Sequence, residues 1–76
     1  MVKIYSTPYC PYCVTLKQYL KDHGIEFTDV DVALDENERA DMIKKTGQIG
    51  VPVVEINGTV VIGFDKEKID ELLQIK

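Results

Sequence analysis

Two apolar segments separated by Asn57-Gly58 constrain the fold of this chain more than any other feature. The sequence reads VPVVEI before this dipeptide and TVVI after it. Asn-Gly between two strand-forming runs is the strongest short-range signal for a two-residue β-hairpin, because both residues tolerate positive φ. The second half of the chain is therefore predicted to contain an antiparallel pair of strands.

The first half of the chain alternates between strand and helix patterns. VKIY at 2–5 predicts a strand, residues 11–23 predict a helix, and IEFTDVDV at 25–32 predicts a second strand. Two strands joined through a helix run parallel with a right-handed connection. The hairpin adds antiparallel pairing to them, so the sheet is predicted to be mixed.

Residues at the helix ends and apolar spacing define the three predicted helices. Gly24 supplies a left-handed stop for the first helix. Asp35 with Glu38 resembles a capping box that opens a second helix ending at Gly47, and Asp65 is predicted to cap the third. Spacing of three and four predicts the inward-facing residues of the first helix as Tyr12, Cys13, Leu16, Tyr19 and Leu20, of the second as Ala40 and Ile43, and of the third as Ile69, Leu72 and Leu73.

The predicted order is β-α-β-α-β-β-α, an α/β chain with a four-stranded sheet and three helices. We expect one domain, residues 1–76, because this length lies well below the size at which chains split. The sequence contains no internal repeat, low-complexity run or linker-like segment.

Charge and hydropathy exclude several function classes. The formal net charge of −4 disfavours nucleic acid as a partner, since nucleic-acid binding requires a basic surface. No apolar run approaches the roughly 18 residues of a membrane span, and MVKIYSTP lacks the apolar region of a secretory signal. We therefore expect no membrane association and, by default, a reducing cytoplasm as the compartment.

The two cysteines of the chain, Cys10 and Cys13, flank Pro11 and Tyr12. With Pro11 at the first helical position, Cys10 becomes the N-cap and Cys13 lies one turn inside, about 5–6 Å away between Cβ atoms. Helix N-termini stabilise anions, and cysteines placed there have pKa values of about 3.5–7.5 against about 8.5 when free. We therefore predict that Cys10 is the nucleophile and that Cys13 resolves the mixed disulfide it forms.

Two other roles for the cysteines are less well supported. A structural disulfide between them would close too short a loop to stabilise the fold appreciably. A zinc site needs four ligands, and the remaining candidate, His23, falls at the opposite end of the helix. A metal shared between two chains stays open, but C-x-x-C in such a chain favours a redox pair.

The Val51-Pro52 bond precedes the first strand of the hairpin. Proline is tolerated at a strand start because it need not donate to the ladder. The residues alone predict an ordinary trans bond, which is the form of most X–Pro bonds.

CPYC at 10–13, GVP at 50–52 and GFD at 63–65 occur in this order and spacing, and with them the chain resembles a glutaredoxin. The likeness runs from the first strand to the last helix. It implies the thioredoxin fold with strand order 2-1-3-4, and a thiol-disulfide oxidoreductase acting in electron transfer and cell redox homeostasis.

The resemblance also implies how the residues around the nucleophile act. Pro52 is expected to be cis and to lie across from Cys10, where the backbone of Val51 pairs with the bound thiol compound. Pro11 and Tyr12 are expected to support the nucleophile's loop.

Glutathione is the cosubstrate that the resemblance implies, with no tightly bound cofactor and no metal. Tyr12 matches the aromatic residue of the active-site loop, and Gln48 matches a polar residue that holds the glycine carboxylate. Asp65 matches the aspartate that takes the α-ammonium, with Gly63 allowing close backbone approach. Val51 and Pro52 complete the expected glutathione-binding set.

Several positions depart from the glutaredoxin pattern. Thr7 stands where a lysine is common, Gly50 replaces a threonine, and Ile62 replaces a glycine. Gly63 followed by Phe64 resembles redoxins that are reduced directly by thioredoxin reductase, for example as hydrogen donors to ribonucleotide reductase. The sequence thus leaves two electron sources open, the glutathione reductase system and thioredoxin reductase.

Functions of other classes are less favoured. A dimer could hold an iron–sulfur cluster through Cys10 and two glutathiones, but Pro11 stiffens and crowds that loop. A noncatalytic interaction domain would not need both cysteines. We expect a monomer that acts on protein disulfides and glutathione.

Overall fold

A computed structural model describes residues 1–75 of the chain. Its elements are β1 (Val2–Ser6), α1 (Pro11–Asp22), β2 (Thr28–Asp31), α2 (Glu36–Thr46), β3 (Val53–Ile56), β4 (Thr59–Ile62) and α3 (Lys66–Leu73). This order confirms the predicted β-α-β-α-β-β-α succession. Within residues 1–75, no helix has the length and apolar content needed to cross a membrane.

The four strands form one mixed sheet in the order β2-β1-β3-β4. Strand β1 runs parallel to β2 and antiparallel to β3. The β3–β4 hairpin turns at Asn57 (φ 49°) and Gly58 (φ 92°), and positive φ at both turn residues is what a type I′ turn requires. Both the strand order and the hairpin are confirmed.

Alternation along β1 divides the core between the two faces of the sheet. Val2 and Ile4 belong to the larger cluster, and Tyr5 belongs to the smaller one. The larger cluster joins the sheet to α1 and α3 through Leu16, Leu20, Val54, Ile56, Val61 and Ile69. The smaller cluster joins it to α2 through Val32, Met42 and Val53.

The predicted inward face of α2 is wrong. Ala40 and Ile43 are exposed, whereas Met42 is buried. The side of α2 that faces the sheet has residues spaced at i, i+3, i+4 and i+7, namely Glu38, Asp41, Met42 and Lys45, and all except Met42 make polar contacts to the sheet. Glu38 pairs with Lys3 of β1 at 2.7 Å, Asp41 accepts a hydrogen bond from the buried Tyr5 hydroxyl at 3.0 Å, and Lys45 pairs with Glu55 of β3 at 3.0 Å.

Two details of α1 and β2 also differ from the prediction. Tyr12 is 69% exposed rather than inward-facing, because the buried face of α1 runs through Cys13, Leu16 and Leu20. Strand β2 is shorter than residues 25–32. Ile25 and Phe27 pack against the larger cluster, but the pairing with β1 begins only at Thr28.

Candidate active site

Cys10 occupies the N-cap of α1, as predicted. Its backbone is extended (φ −93°, ψ 112°), and Pro11 begins the helix. The Cys10 Sγ accepts a hydrogen bond from the Cys13 backbone N–H at 3.2 Å. This contact directs an otherwise unpaired donor of the first turn at the sulfur, which stabilises a negative charge there. Cys10 is also partly accessible to solvent.

Cys13 has a very different environment one turn inside the helix. Its side chain is fully buried. Burial, followed by the hydrogen bond with Cys10, raises the pKa of the Cys13 thiol to about 11, against a smaller opposing effect of the Thr7 backbone and the Lys17 charge. Cys13 is therefore a thiol near neutral pH, and the two cysteines are unequal in exposure and in charge stabilisation.

The loop before β3 brings a second segment to Cys10. The Val51-Pro52 bond is cis, which confirms the expectation from the resemblance and contradicts the trans bond favoured by the residues alone. The carbonyl oxygen of Val51 lies 3.9 Å from Cys10 Sγ, within reach of a weak S–H···O contact. The Pro52 carbonyl accepts a hydrogen bond from the Gly63 N–H at 2.8 Å, so the end of β4 is attached to the same loop.

Gly63 is the position in this region where backbone conformation requires glycine. Its φ is 78°, in the left-handed region that side chains disfavour, and no atom outside its own neighbours lies within 4 Å of the place where a Cβ would stand. Glycine thus serves the turn between β4 and α3 and leaves open space beside Pro52. The structure brings Cys10, Val51, Pro52 and Gly63 together.

The remaining residues of the predicted glutathione set lie within three residues of this group along the chain. The Gln48 side chain is half-buried and rests beside Gly50, with its Nε2 3.5 Å from the position that a Cβ of residue 50 would take. Asp65 is exposed and caps α3 by accepting a hydrogen bond from the Lys68 N–H at 3.2 Å. Tyr12 is exposed on the first turn of α1. Asp65 therefore has a structural role that is independent of any ligand.

The two bulky residues near Gly63 behave differently. Phe64 packs against the larger core cluster, with its ring centroid 5.6 Å from that of Tyr19. Ile62 leaves 52% of its surface exposed. The Phe64 ring thus fills space between α1 and the end of β4, whereas Ile62 adds apolar surface outside.

Three stretches of the chain that contribute to the site carry no charged side chain, and charge enters the predicted site only with Asp65. Residues 6–16, 47–54 and 59–64 contain neither acids nor bases, although 29% of the chain is charged. Large apolar side chains of these segments are exposed, namely Tyr9, Tyr12, Val14, Ile49 and Ile62. These stretches therefore present apolar side chains and no charge next to Cys10 in the sequence and at the Val51-Pro52 loop.

A polar cluster that the sequence patterns did not identify lies on the α1 side of the sheet. Ser6, which is 2% exposed, donates a hydrogen bond to Asp29 Oδ1 at 2.7 Å. Lys17 Nζ lies 3.0 Å from Asp29 Oδ2 and 3.5 Å from Ser6 Oγ. Lys17 follows Cys13 by four residues, which places it on the same face of α1, but its pairing with Asp29 of β2 has no signal in the sequence.

Comparisons with known proteins identify the family of the chain. The glutaredoxin family model matches residues 2–61, which include both cysteines and the cis-proline. An uncharacterised glutaredoxin-like 8.6 kDa protein from the rubredoxin operon of Clostridium pasteurianum is 50% identical over 74 residues, covering 97% of this chain and 99% of that protein. A glutaredoxin of Pseudomonas aeruginosa is 38% identical over 64 residues, covering 84% of this chain and 76% of that one.

A solved structure has the same fold over almost the whole chain. The crystal structure of a mutant of the thioredoxin-like protein BC3987 matches with a TM-score of 0.93 at 35% identity, covering 99% of this chain and 96% of that one. Four strands in the order 2-1-3-4 and three helices make up this shared fold. The chain belongs to the glutaredoxin family, thiol-disulfide oxidoreductases built on the thioredoxin fold.

Proposed function

We propose that this protein reduces protein disulfides and glutathione mixed disulfides through Cys10 and Cys13, and that glutathione returns the oxidised pair to the dithiol. The observation that carries the proposal is the inequality of the two thiols. Cys10 is accessible and receives a backbone hydrogen bond on its sulfur, whereas Cys13 is buried behind it.

The first step is attack on the substrate. The Cys10 thiolate displaces one sulfur of a disulfide R–S–S–R′, which forms Cys10–S–S–R and releases R′–S⁻ to take up a proton from solvent. The Cys13 N–H balances charge on Cys10 before the attack. The Val51 backbone at 3.9 Å supplies polar groups beside the point where the substrate sulfur arrives.

The second step releases the reduced product. Cys13 loses its proton, attacks Cys10 Sγ, forms the Cys10–Cys13 disulfide and expels R–S⁻. Since burial raises the pKa of Cys13 to about 11, this thiol stays protonated and unreactive until the mixed disulfide has formed. Two molecules of glutathione then reduce the disulfide by the same exchange and leave as glutathione disulfide.

The choice of glutathione rests on the groups around Pro52. Glutathione has two carboxylates and one ammonium, so its site needs donors at one end and an acid at the other. Gln48 supplies amide donors and Asp65 supplies the acid, while Gly63 leaves room for the backbone to approach. The Phe64 ring is packed against Tyr19 instead of standing free beside Asp65.

A second candidate is a redoxin reduced directly by thioredoxin reductase. The uncharged segments around Cys10 and the exposed Tyr9, Ile49 and Ile62 favour it, since an apolar surface suits a protein partner better than a charged tripeptide. Thr7, in place of a lysine, removes a cation that would attract glutathione.

One coupled assay distinguishes these candidates. NADPH oxidation is followed with a single disulfide substrate, supplied either with glutathione and glutathione reductase or with thioredoxin reductase alone. We expect turnover in the glutathione arm, and turnover confined to the thioredoxin reductase arm would refute glutathione as the donor. A Cys10→Ser variant, inactive in both arms, serves as the control for non-enzymatic exchange.

A further inference from the structure

The cluster formed by Ser6, Lys17 and Asp29 includes a residue on the same helix as Cys13 and takes no part in the proposed exchange steps. Lys17 is four residues after Cys13 on α1, so the two side chains occupy the same face of the helix. Ser6 precedes Thr7, whose backbone has a lowering effect on the pKa of the Cys13 thiol. The cluster is therefore connected to Cys13 both along α1 and through the end of β1.

The Lys17 ammonium is held in place instead of moving freely in solvent. Asp29 Oδ2 lies 3.0 Å away, and Ser6 Oγ accepts at 3.5 Å while donating to the other oxygen of Asp29 at 2.7 Å. Ser6 is buried, and the Lys17 side chain is 22% exposed. These contacts keep the Lys17 ammonium from extending fully into water, as exposed lysines usually do. Its positive charge therefore stays near the turn of α1 that contains Cys13.

We propose that Lys17 is a positioning residue for the resolving step, whose charge stabilises the Cys13 thiolate, and that Asp29 limits this effect by offsetting part of the charge. The proposal rests on the proposed exchange reaction. In that step Cys13 transfers its proton to solvent, the thiolate forms a bond to Cys10 Sγ, and the bond from Cys10 to the substrate sulfur breaks with release of the substrate thiolate.

Opposite effects are expected from the two members of the ion pair. The titratable groups that act on the Cys13 thiol are Cys10 and Lys17, with Asp29 acting through Lys17. Lys17→Met keeps the apolar stem but removes the charge, and should lower the reactivity of Cys13 roughly fivefold near neutral pH. Asp29→Asn keeps an acceptor for Ser6 but frees the lysine charge, and should raise that reactivity roughly threefold.

The first experiment measures the rate at which a neutral alkylating reagent modifies Cys13 in a Cys10→Ser background, as a function of pH and salt. Lys17→Arg should retain the wild-type rate, and Lys21→Met serves as the matched control because it removes a lysine one turn further along α1. The effects of Lys17→Met and Asp29→Asn on the alkylation rate should both become smaller in high salt, because salt screens charge. Changes of the same sign in Lys17→Met and Asp29→Asn would indicate altered access and overturn the proposal, as would an equal effect of Lys21→Met.

The second experiment uses the protein with both cysteines. Cys10 is loaded with the chromogenic thiol thionitrobenzoate as a mixed disulfide, and its release by Cys13 is timed by stopped flow. We expect release to slow about fivefold in Lys17→Met and to quicken about threefold in Asp29→Asn. If the rate of thionitrobenzoate release is unchanged although the alkylation rate of Cys13 has changed, the role of Lys17 in the resolving step is refuted. Failure of Cys10 to form any mixed disulfide would instead overturn the proposed function, and the alkylation rates would still decide the effect of Lys17.

Discussion

Asp65 is expected to contribute separately to stability and to glutathione binding, and two substitutions separate the contributions. Its carboxylate caps α3 through the Lys68 N–H at 3.2 Å, and it is also the acid proposed to hold the glutathione ammonium. Asp65→Ala removes both functions. Asp65→Asn removes the charge but keeps a side-chain oxygen that caps a helix as well as aspartate does.

The loss of the cap is predicted to be measurable because α3 is short. The helix has eight residues and buries Ile69 against the sheet. Replacing an N-cap aspartate by alanine costs about 0.5–2 kcal/mol, typically about 1. For a domain of 60–100 residues, about 1 kcal/mol corresponds to a fall in Tm of about 4–8 °C. Asp65→Ala should show this fall, and Asp65→Asn should stay within about 2 °C of the unmodified protein.

The effect on glutathione binding should be the same in both variants. A charge-assisted hydrogen bond contributes about 1.5–3 kcal/mol, but Asp65 is exposed, and exposed ion pairs contribute about 0–1 kcal/mol. We take about 1 kcal/mol, which raises the KM for a glutathionylated substrate about fivefold. The kcat for bound substrate should change little, since Asp65 is not in contact with either sulfur in the proposed reaction.

Thermal unfolding and steady-state kinetics on the same preparations test this reasoning. Glu67→Gln is the matched control, because it removes an acid from the first turn of α3 without touching the cap. Equal loss of Tm in the alanine and asparagine variants would show that the cap is not what Asp65 contributes. An unchanged KM in Asp65→Asn, with glutathione still acting as the donor, would refute its role in binding the ammonium.

Three further outcomes follow from the structure. After exposure to glutathione disulfide, mass spectrometry should find a stable adduct on Cys10 in Cys13→Ser and little adduct on Cys13 in Cys10→Ser; equal yields would contradict the assigned roles. Met42→Ala should lower the free energy of unfolding by about 2–5 kcal/mol, whereas Ile43→Ala should lower it by about 0.5 kcal/mol, and urea denaturation measures both. A hydrogen bond from Lys45 holds the pKa of Asp41 below its usual range, so the stabilising effect of the Asp41 carboxylate is present above about pH 4 and is lost as the pH falls. The free energy of unfolding of Asp41→Asn should therefore decrease less than that of the unmodified protein between about pH 5 and pH 2.

Most of the fold could be predicted because local signals agreed with the global pattern. Asn57-Gly58 and the N-cap residues Cys10, Asp35 and Asp65 act through contacts within four residues, and all four appear where the sequence indicates them. Such contacts depend little on the rest of the chain, so sequence reasoning is reliable for them.

The errors arose where tertiary contacts decide the outcome. The orientation of α2 depends on Glu38, Asp41 and Lys45 reaching partners on β1 and β3, and a search for apolar spacing gives these charged residues no weight. The ion pair of Lys17 with Asp29 was missed for the same reason, because it joins α1 to β2 and no spacing within one element indicates it.

The position of the two halves of the site along the chain has a consequence for synthesis on the ribosome. Cys10 and Val51 are 41 residues apart, and the central strand β1 pairs with β3, as in the register of Val2 with Ile56. Until β3 has left the exit tunnel, β1 lacks one of its neighbours, and Cys10 lacks the loop that faces it. In a nascent chain both thiols are therefore made before the Val51-Pro52 loop and strand β3 can take their places beside Cys10 and β1.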